Sequence, residues 1–420
     1  MLLVGLDLGT SFIKGALLDL DGLAIRQVRR LPFPGPLAGL PPLHFEVDAQ
    51  VVTGIVRELL DGLLDAAPEC AGIVLCTQMH GLVLCTEQGE SRSNMITWQD
   101  QRVLDSHPAG GTYFDRLLAQ VGVIERQELG NELQPSRPLC YLYWLAEQKA
   151  LPKEKVTPAG VADYVVANLC HSTPVSDTTN AGAHCAFDLA KQTWHQVVLK
   201  RLGLTALQWP KVLPFGAVVG EYRHAGRMVP VYTPVGDHQC AVLGALPDKG
   251  ELSLNISTGS QASMVTPTWL PGEYQTRPFF DGHFLNTITG IPAGRALNHL
   301  VNLLTELPRR QGIALEVPWP LIAESAAAVT TSELNVNLAF FDSMGGKHGW
   351  INNIHEQNLT VGHLFHAAFQ NMAENYYAAA LRLSPTQEWR ALVFSGGLAQ
   401  KIPLLRQLIE EKFQLPHRLS

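Results

Sequence analysis

The alternation of apolar and polar positions predicts a chain that opens on paired strands. Residues 3–8 and 12–18 read as apolar-rich strands, and Gly9-Thr10-Ser11 between them makes a tight turn. Asp21-Gly22 opens the next turn, and a Pro/Gly-rich loop spans 31–42. Val52, Ile55, Val56, Leu59, Leu60, Leu63 and Leu64 then recur with the helical period, predicting an amphipathic helix over Ala49–Ala66. Residues 72–77 form an apolar run suited to a buried strand, and a further strand is expected over 82–86. Two strands, a helix and another buried strand imply a mixed α/β layer.

The pattern stays α/β to the end. Residues 103–150 are helical in character, with an amphipathic helix over 139–147. Residues 160–169 give a buried strand-to-helix passage carrying Asp163. Ser176 to Gly182 reads as a turn-rich loop whose Asp177 and Asn180 either line a pocket or, as turn residues usually are, stand solvated. A short strand over 229–233 precedes Gly236-Asp237-His238-Gln239 and a helix of small residues. The turn 247–250 is the expected boundary between domains 1–246 and 247–420. Beyond it, residues 251–265 repeat the opening logic: strand, Ser257-Thr258-Gly259-Ser260 turn, strand. Gly294 leads into a helix over 295–307, and a second helix is expected over Val361–Leu383. A strand over 390–394 ends in Ser395-Gly396-Gly397.

Composition narrows the classes. At 420 residues the chain is long enough for two or three domains, with 46% hydrophobic and 16% charged residues. The net charge of −7 and the absence of a basic run argue against nucleic acid and anionic membrane as partners. No apolar run reaches membrane-spanning length, and no leader pattern precedes the first strand. Seven cysteines without a Cys-x-x-Cys pair suggest a reduced, cytoplasmic protein.

Several polar residues stand where packing does not ask for them. Asp7 interrupts an apolar strand two residues before the Gly9 turn. A carboxylate there suits hydrated Mg²⁺, and the Gly9–Ser11 amides and hydroxyls suit phosphate oxygens; an ordinary hairpin is the other reading. Gln78 and His80 follow a buried strand, where α/β folds place ligands, although a core histidine is the alternative. Trp98-Gln99-Asp100-Gln101-Arg102 offers an apolar face with paired donors and acceptors, the inventory of a sugar site or of a capped helix start with a surface ion pair. Asp237 opens a helix, as a cap or as a general base for a substrate hydroxyl. Gly396-Gly397 lets backbone approach a flat ligand. His363 and His366, without a third ligand nearby, read as surface or packing histidines.

Taken in order, these segments resemble the FGGY family of carbohydrate kinases. Gly5–Ser11 resembles its first phosphate motif, Gly236–Ala245 its segment with the catalytic aspartate, Leu254–Gln261 its second phosphate motif, and Phe394–Gln400 its adenosine motif. Gln78–Gly81, Thr97–Arg102 and Ala162–Cys170 are most similar to sedoheptulokinases within it. Xylulokinases match less closely, with Asn usual where Gln99 stands.

The resemblance implies a two-domain actin-like ATPase (ribonuclease H-like) α/β fold with its active site in the interdomain cleft. It implies ATP-dependent phosphorylation of a ketose at a primary hydroxyl, with sedoheptulose as the first substrate and a pentulose such as xylulose as the alternative. Asp237 would be the base, and Asp7 would hold Mg²⁺ through water. Gly9, Thr10, Ser11, Thr258 and Gly259 would cradle phosphates. His80, Trp98, Asp100 and Arg102, with Gln78 and Gln239, would bind the sugar. Gly396, Gly397 and Gly294 would border the adenine. The expected partners are the ketose and ATP, with a homodimer left open. Family members continue into a further strand and an acidic helix, so the C-terminal half is expected to lack both. That motivates an alternative of another class, a sugar- or nucleotide-binding protein with impaired catalysis. A sugar-indifferent ATPase switch is a third reading, opposed by the 78–102 cluster.

Overall fold

The computed structural model describes residues 1–245 and 250–420. The chain divides into two compact units. The first comprises Met1–Ala241, Pro267–Pro271 and Thr276–Phe284; the second comprises Val242–Thr266, Gly272–Gln275 and Leu285–Ser420. Of the expected boundary turn, residues 247–249 lie outside the described residues.

The first unit is built on a mixed sheet. Its strands are β1 (Leu2–Leu8), β2 (Phe12–Asp19), β3 (Ala24–Pro32), β4 (Ile73–Thr77), β5 (Val218–His224), β6 (Arg227–Tyr232) and β7 (Val235–Gly236). They run in the order β5-β6-β4-β1-β2-β3, with β7 also paired to β4. The opening hairpin is antiparallel and closes at Leu8↔Ile13. Strand β1 runs parallel to β4 with Asp7 opposite Cys76, and β7 runs parallel to β4 with Gly236 opposite Thr77. Helix α1 (Ala49–Ala66) covers one face. Its start is fixed by Asp48, whose carboxylate accepts from the Gln50 and Val51 amides. Val52, Val56, Leu59, Leu60, Leu63 and Leu64 are all buried, each contributing about 1.5–3 kcal/mol by leaving water.

The second unit repeats this plan. Strands β8 (Glu251–Asn255) and β9 (Ser260–Thr266) form an antiparallel hairpin, and β8 runs parallel to a later strand, β11 (Ala391–Ser395). With β10 (Phe284–Ile291) and β12 (His417–Leu419) the order is β10-β9-β8-β11-β12. The helix Val361–Leu383 supplies Phe365, Phe369, Met372 and Tyr376 to a core shared with Leu252, Leu254 and Phe394.

Three local features differ from the sequence reading. Strand β3 starts before the loop that was expected at 31–42. The stretch expected as a solvated turn contains the helix Thr178–Ala183, capped by Asp177, and both Asp177 and Asn180 are buried. Residues His417–Leu419, where no strand was expected, pair in parallel with Leu392–Phe394. Their hydrogen bonds satisfy an edge of β11 that would otherwise be open.

Candidate active site

Three neighbouring parallel strands of the first unit end on the same edge. The carboxyl end of β1 leads to Gly9-Thr10-Ser11, that of β4 to Gln78-Met79-His80, and that of β7 to Asp237, which begins the helix Asp237–Gly244. Open α/β sheets bind their ligands at such an edge. Side chains tie the pieces together there. Trp98 Nε1 donates to Thr10 Oγ1 at 2.9 Å, Thr10 Oγ1 donates to Gln78 Oε1 at 3.4 Å, and Gln78 Nε2 donates to the Gly9 carbonyl at 3.4 Å. Four residues from three separate motifs thus share one web. Trp98 keeps 42% of its surface exposed, so its ring still offers an apolar face.

Asp100 and Arg102 are placed differently from a pair that reaches out to a sugar. Asp100 is 0% exposed and Arg102 2%. Asp100 accepts from the Phe45 amide at 2.7 Å, the Arg102 amide at 2.9 Å, Arg102 Nε at 2.9 Å and Arg102 Nη2 at 2.8 Å. Arg102 also donates to Glu46 Oε1 at 2.6 Å and lies 5.2 Å from the Trp144 ring centroid. In this conformation their polar capacity is spent holding the 97–102 segment against the 44–46 segment. The alternation of charged residues in the sequence gave no sign of that burial.

His80 sits just past β4 with φ +68°, in the left-handed region where a side chain is strained. Its Nδ1 is 3.0 Å from the Ala183 carbonyl. Burial, reinforced by the Arg137 guanidinium, holds the imidazole well below its usual pKa, so it is neutral. Close to it lies a buried charge relay that sequence reading missed. Glu132 accepts from Arg137 Nη2 at 2.8 Å through one oxygen and from Arg277 Nε at 2.5 Å through the other. Burial alone would raise the Glu132 carboxyl, but the Arg277 and Arg137 guanidiniums overcome it and hold the group well below the carboxylate range. The cue available in the sequence was the polar run Asn131 to Arg137, too diffuse to single out Glu132.

Arg277 continues the relay to His238, and two buried atoms next to Asp237 are left unmatched. His238 Nε2 and Gln239 Oε1 have no partner among the described residues, although Gln239 Nε2 donates to the Pro278 carbonyl at 3.1 Å. Unmatched buried polar atoms call for a partner such as a ligand, an ion or a water. Burial, with a contribution from the nearby Asp7 carboxylate, pushes Asp237 up to about 6. Asp7 itself is half-buried and accepts from Lys14 Nζ at 2.9 Å. A partly open carboxylate near a second one is a hard-oxygen donor set that fits Mg²⁺.

The second-unit motifs converge on a separate cavity. Ser257, Thr258, Trp319, Pro320, Gly397, Leu398 and Lys401 line a space of about 660 Å³. Gly294 brings the helix Gly294–Arg310 against the Ser257–Ser260 turn: its amide donates to the Ser257 carbonyl at 3.1 Å, and a Cβ there would stand 2.9 Å from that same oxygen. Gly396 has φ +91°, and a Cβ would lie 2.6 Å from the Ile256 carbonyl, so only glycine fits this turn. Gly259 is exposed at the tip of its turn, and the Gly259 carbonyl accepts from Ser257 Oγ at 2.7 Å. His366 is buried, with Nδ1 3.1 Å from the Ala326 carbonyl, and His363 lies beside the Thr360 cap; both are packing or capping histidines, as expected.

Comparison with known proteins identifies the family and the fold. The profile of the FGGY family of carbohydrate kinases, N-terminal domain, matches residues 2–244. The chain belongs to this family. Human sedoheptulokinase is 24% identical across 98% of this chain and 93% of its own length. The solved gluconate kinase from Lactobacillus acidophilus superposes with a TM-score of 0.84 at 20% identity, covering 100% of this chain and 85% of that one. The ligand-bound xylulose kinase from the same organism gives 0.82 at 20% identity, with 100% and 85% covered. The fold is therefore the two-domain α/β fold of the FGGY sugar kinases, and the chain is a sugar phosphotransferase by family. Sugar kinases of this family use ATP, generally with Mg²⁺. Among the described residues no helix is long and apolar enough to cross a membrane.

Proposed function

We propose that this FGGY kinase transfers the γ-phosphoryl group of ATP to a primary hydroxyl of a ketose, with sedoheptulose, giving sedoheptulose 7-phosphate, as its first substrate. The observation that carries this reading is the shared carboxyl edge of β1, β4 and β7, which collects Gly9-Thr10-Ser11, Gln78, His80 and Asp237. Asp237 would take the hydroxyl proton as the oxygen attacks phosphorus; a carboxyl titrating near 6 is ionised at neutral pH and still basic enough to accept. Phosphoryl transfer asks for positioning and charge stabilisation more than for covalent chemistry. Asp7 would hold Mg²⁺ through water, and the bound ion would offset charge on the phosphates. Thr10 and Ser11, with Gly9, and Thr258 with Gly259 would donate to phosphate oxygens. Gly396, Gly397 and Gly294 would border the adenine. Gln78, His80, Trp98 and Gln239 would face the sugar, and the Asp100–Arg102 pair would hold Trp98 in place.

The reading is tested by ADP release over a panel of sedoheptulose, xylulose, ribulose and fructose. Ketose-dependent release, greatest with sedoheptulose, is the expected result. No release with any ketose from folded, ATP-binding protein would overturn it. A pentulose kinase is the second reading, supported by the xylulose kinase of Klebsiella pneumoniae, 24% identical over 64% of this chain. Xylulose or ribulose outperforming sedoheptulose would select it.

A further inference from the structure

Two of the seven cysteines meet beside the carboxylates of the first unit. Cys76 lies on β4, in register with Asp7 of β1 on one side and Val235 of β7 on the other. Cys240 lies one turn into the helix that Asp237 begins. Pairing of β7 with β4 brings that turn back over Cys76, and the two thiols lie in hydrogen-bonding range of one another. Cys76 Sγ is also 3.8 Å from Asp7 Oδ1. Both cysteines line a cavity of about 410 Å³ together with Asp7, Lys14 and Val235. Both are partly exposed, as Cys170 is, whereas Cys70, Cys85, Cys140 and Cys185 are buried.

Phosphoryl transfer has no need of two touching thiols at this place, and thiols that touch and can be reached are the setting for disulfide chemistry. We propose that Cys76 and Cys240 are a reversible oxidation site, closed to a disulfide by hydrogen peroxide, whose formation disables the site around Asp237. In the first step one thiol sulfur attacks peroxide. The O–O bond breaks, the sulfur becomes a sulfenic acid, and the second oxygen leaves as water. The other thiol then attacks that sulfur, an S–S bond forms, the S–O bond breaks, and a second water leaves. Two thiols lose two electrons and two protons in all, and one peroxide is reduced to two waters. A dithiol reverses the oxidation by exchange.

The cross-link acts through geometry. A disulfide holds its sulfurs at about 2.05 Å, well inside a hydrogen-bond contact. Closing that distance draws the first turn of the helix toward β4, and Asp237 lies on that turn. The proposal concerns the covalent state of the thiols and does not depend on which sugar is the acceptor.

The test treats the whole protein with hydrogen peroxide and maps it by mass spectrometry. The expected result is a loss of about 2 Da and a single cross-linked pair of peptides containing Cys76 and Cys240. Hydrogen exchange of the amides over 237–244 should change with it, and ketose-dependent ADP release should fall at least ~10-fold and return with dithiothreitol. Cys240→Ser and, independently, Cys76→Ala should keep basal turnover and resist peroxide. A different cysteine pairing, or equal inactivation of both variants, would overturn the proposal. So would a cross-link that leaves turnover and exchange unchanged. The peptide map decides the cross-link even if no ketose is turned over, which keeps failure here apart from failure of the kinase reading.

Discussion

Arg277 donates from Nη1 to Nδ1 of His238 at 2.6 Å. A guanidinium only donates, so Nδ1 must be the acceptor and a neutral His238 carries its proton on Nε2. Burial, reinforced by Arg277, pushes the imidazole down to about 3, so this tautomer holds across the working range. The unmatched Nε2–H is then a fixed donor one residue from Asp237. Arg277→Met should free the ring and leave Glu132 with only Arg137 from the pair. The expected cost is about 3 kcal/mol of stability, the lower end for a broken buried ion pair. Urea denaturation of the variant beside the parent measures it, and an unchanged midpoint would mean that the relay is not structural.

With Asp237 as the proposed base, the pH profile of turnover follows from its titration. Its carboxyl titrates at about 6 because burial and the Asp7 carboxylate disfavour the charged form. A base must be ionised, so kcat/KM should be flat above neutrality and fall roughly tenfold per pH unit below about 6. Asp237→Asn should lose about 10²–10⁴-fold in kcat with sugar affinity largely kept. Calorimetric sugar titration and an ADP-release profile from pH 4.5 to 8 check both parts.

Asp163 gives a stability signature of opposite use. It is fully buried at the first turn of the helix Val161–Cys170, and its carboxylate accepts from the Gly160 amide at 3.3 Å. Burial, together with the nearby Asp177, pushes it up to about 8. Between its ordinary value of 3.8 and 8 the folded chain binds more protons than the unfolded one. Its contribution is therefore fully present below about 4 and is lost as pH rises through 8. Asp163→Asn should flatten this slope, making the variant more resistant than the parent at pH 8.5 and no better at pH 4. Thermal unfolding at the two pH values decides it.

The residues that sequence reading located well are those whose signal is local. The helix Val361–Leu383 carries its own start signal in Thr360, which accepts from the His363 amide, and its period is unbroken for 23 residues. Strand β3 was invisible for the converse reason. It is an edge strand with Arg26, Gln27, Arg29 and Arg30 exposed, and its pairing shifts register at Gly15/Leu17, where Gln27 takes φ +50°. Alternation cannot be read through a bulge. At the carboxyl edge of the sheet, Asp7, Thr10, Gln78 and Asp237 could be placed from sequence because each lies within or just past a short strand. Glu132 and Arg277 were not, because they are 145 positions apart and only the fold makes them partners.

The positioning role proposed for the Asp100–Arg102 pair can be told apart from sugar contact. All of the polar contacts that Asp100 makes lie inside the protein, and the segment it holds presents Trp98 to Thr10. Asp100→Asn should cost about 3–5 kcal/mol, because Arg102 is left buried with its charge poorly matched. Trp98→Phe keeps the ring and removes only the Nε1 donor. It should leave stability within about 0.5–1.5 kcal/mol of the parent, the net worth of one hydrogen bond, while raising the KM for sugar. A large KM change in Asp100→Asn without any loss of stability would reverse the assignment and return Asp100 to the sugar.

The cavity of the second unit gives the last prediction. Trp319 and Pro320 provide apolar lining, Gly397 and Leu398 follow the turn that only glycine can make, and Ser257 and Thr258 stand at the same cavity. Flat aromatic and backbone surfaces with hydroxyls at one side suit a nucleoside carrying phosphates. Stacking of a base on an aromatic ring is worth about 1–3 kcal/mol by alanine substitution. Trp319→Ala should therefore weaken ATP binding by roughly 5–150-fold, with the sugar KM unchanged. Trp319 also packs edge-on against Phe365, 6.1 Å between centroids, so lost packing must be told apart from lost stacking. Trp319→Phe makes the distinction: it keeps a stacking face and should recover most of the ATP affinity. Equal loss in the two variants would place the base elsewhere than against this ring.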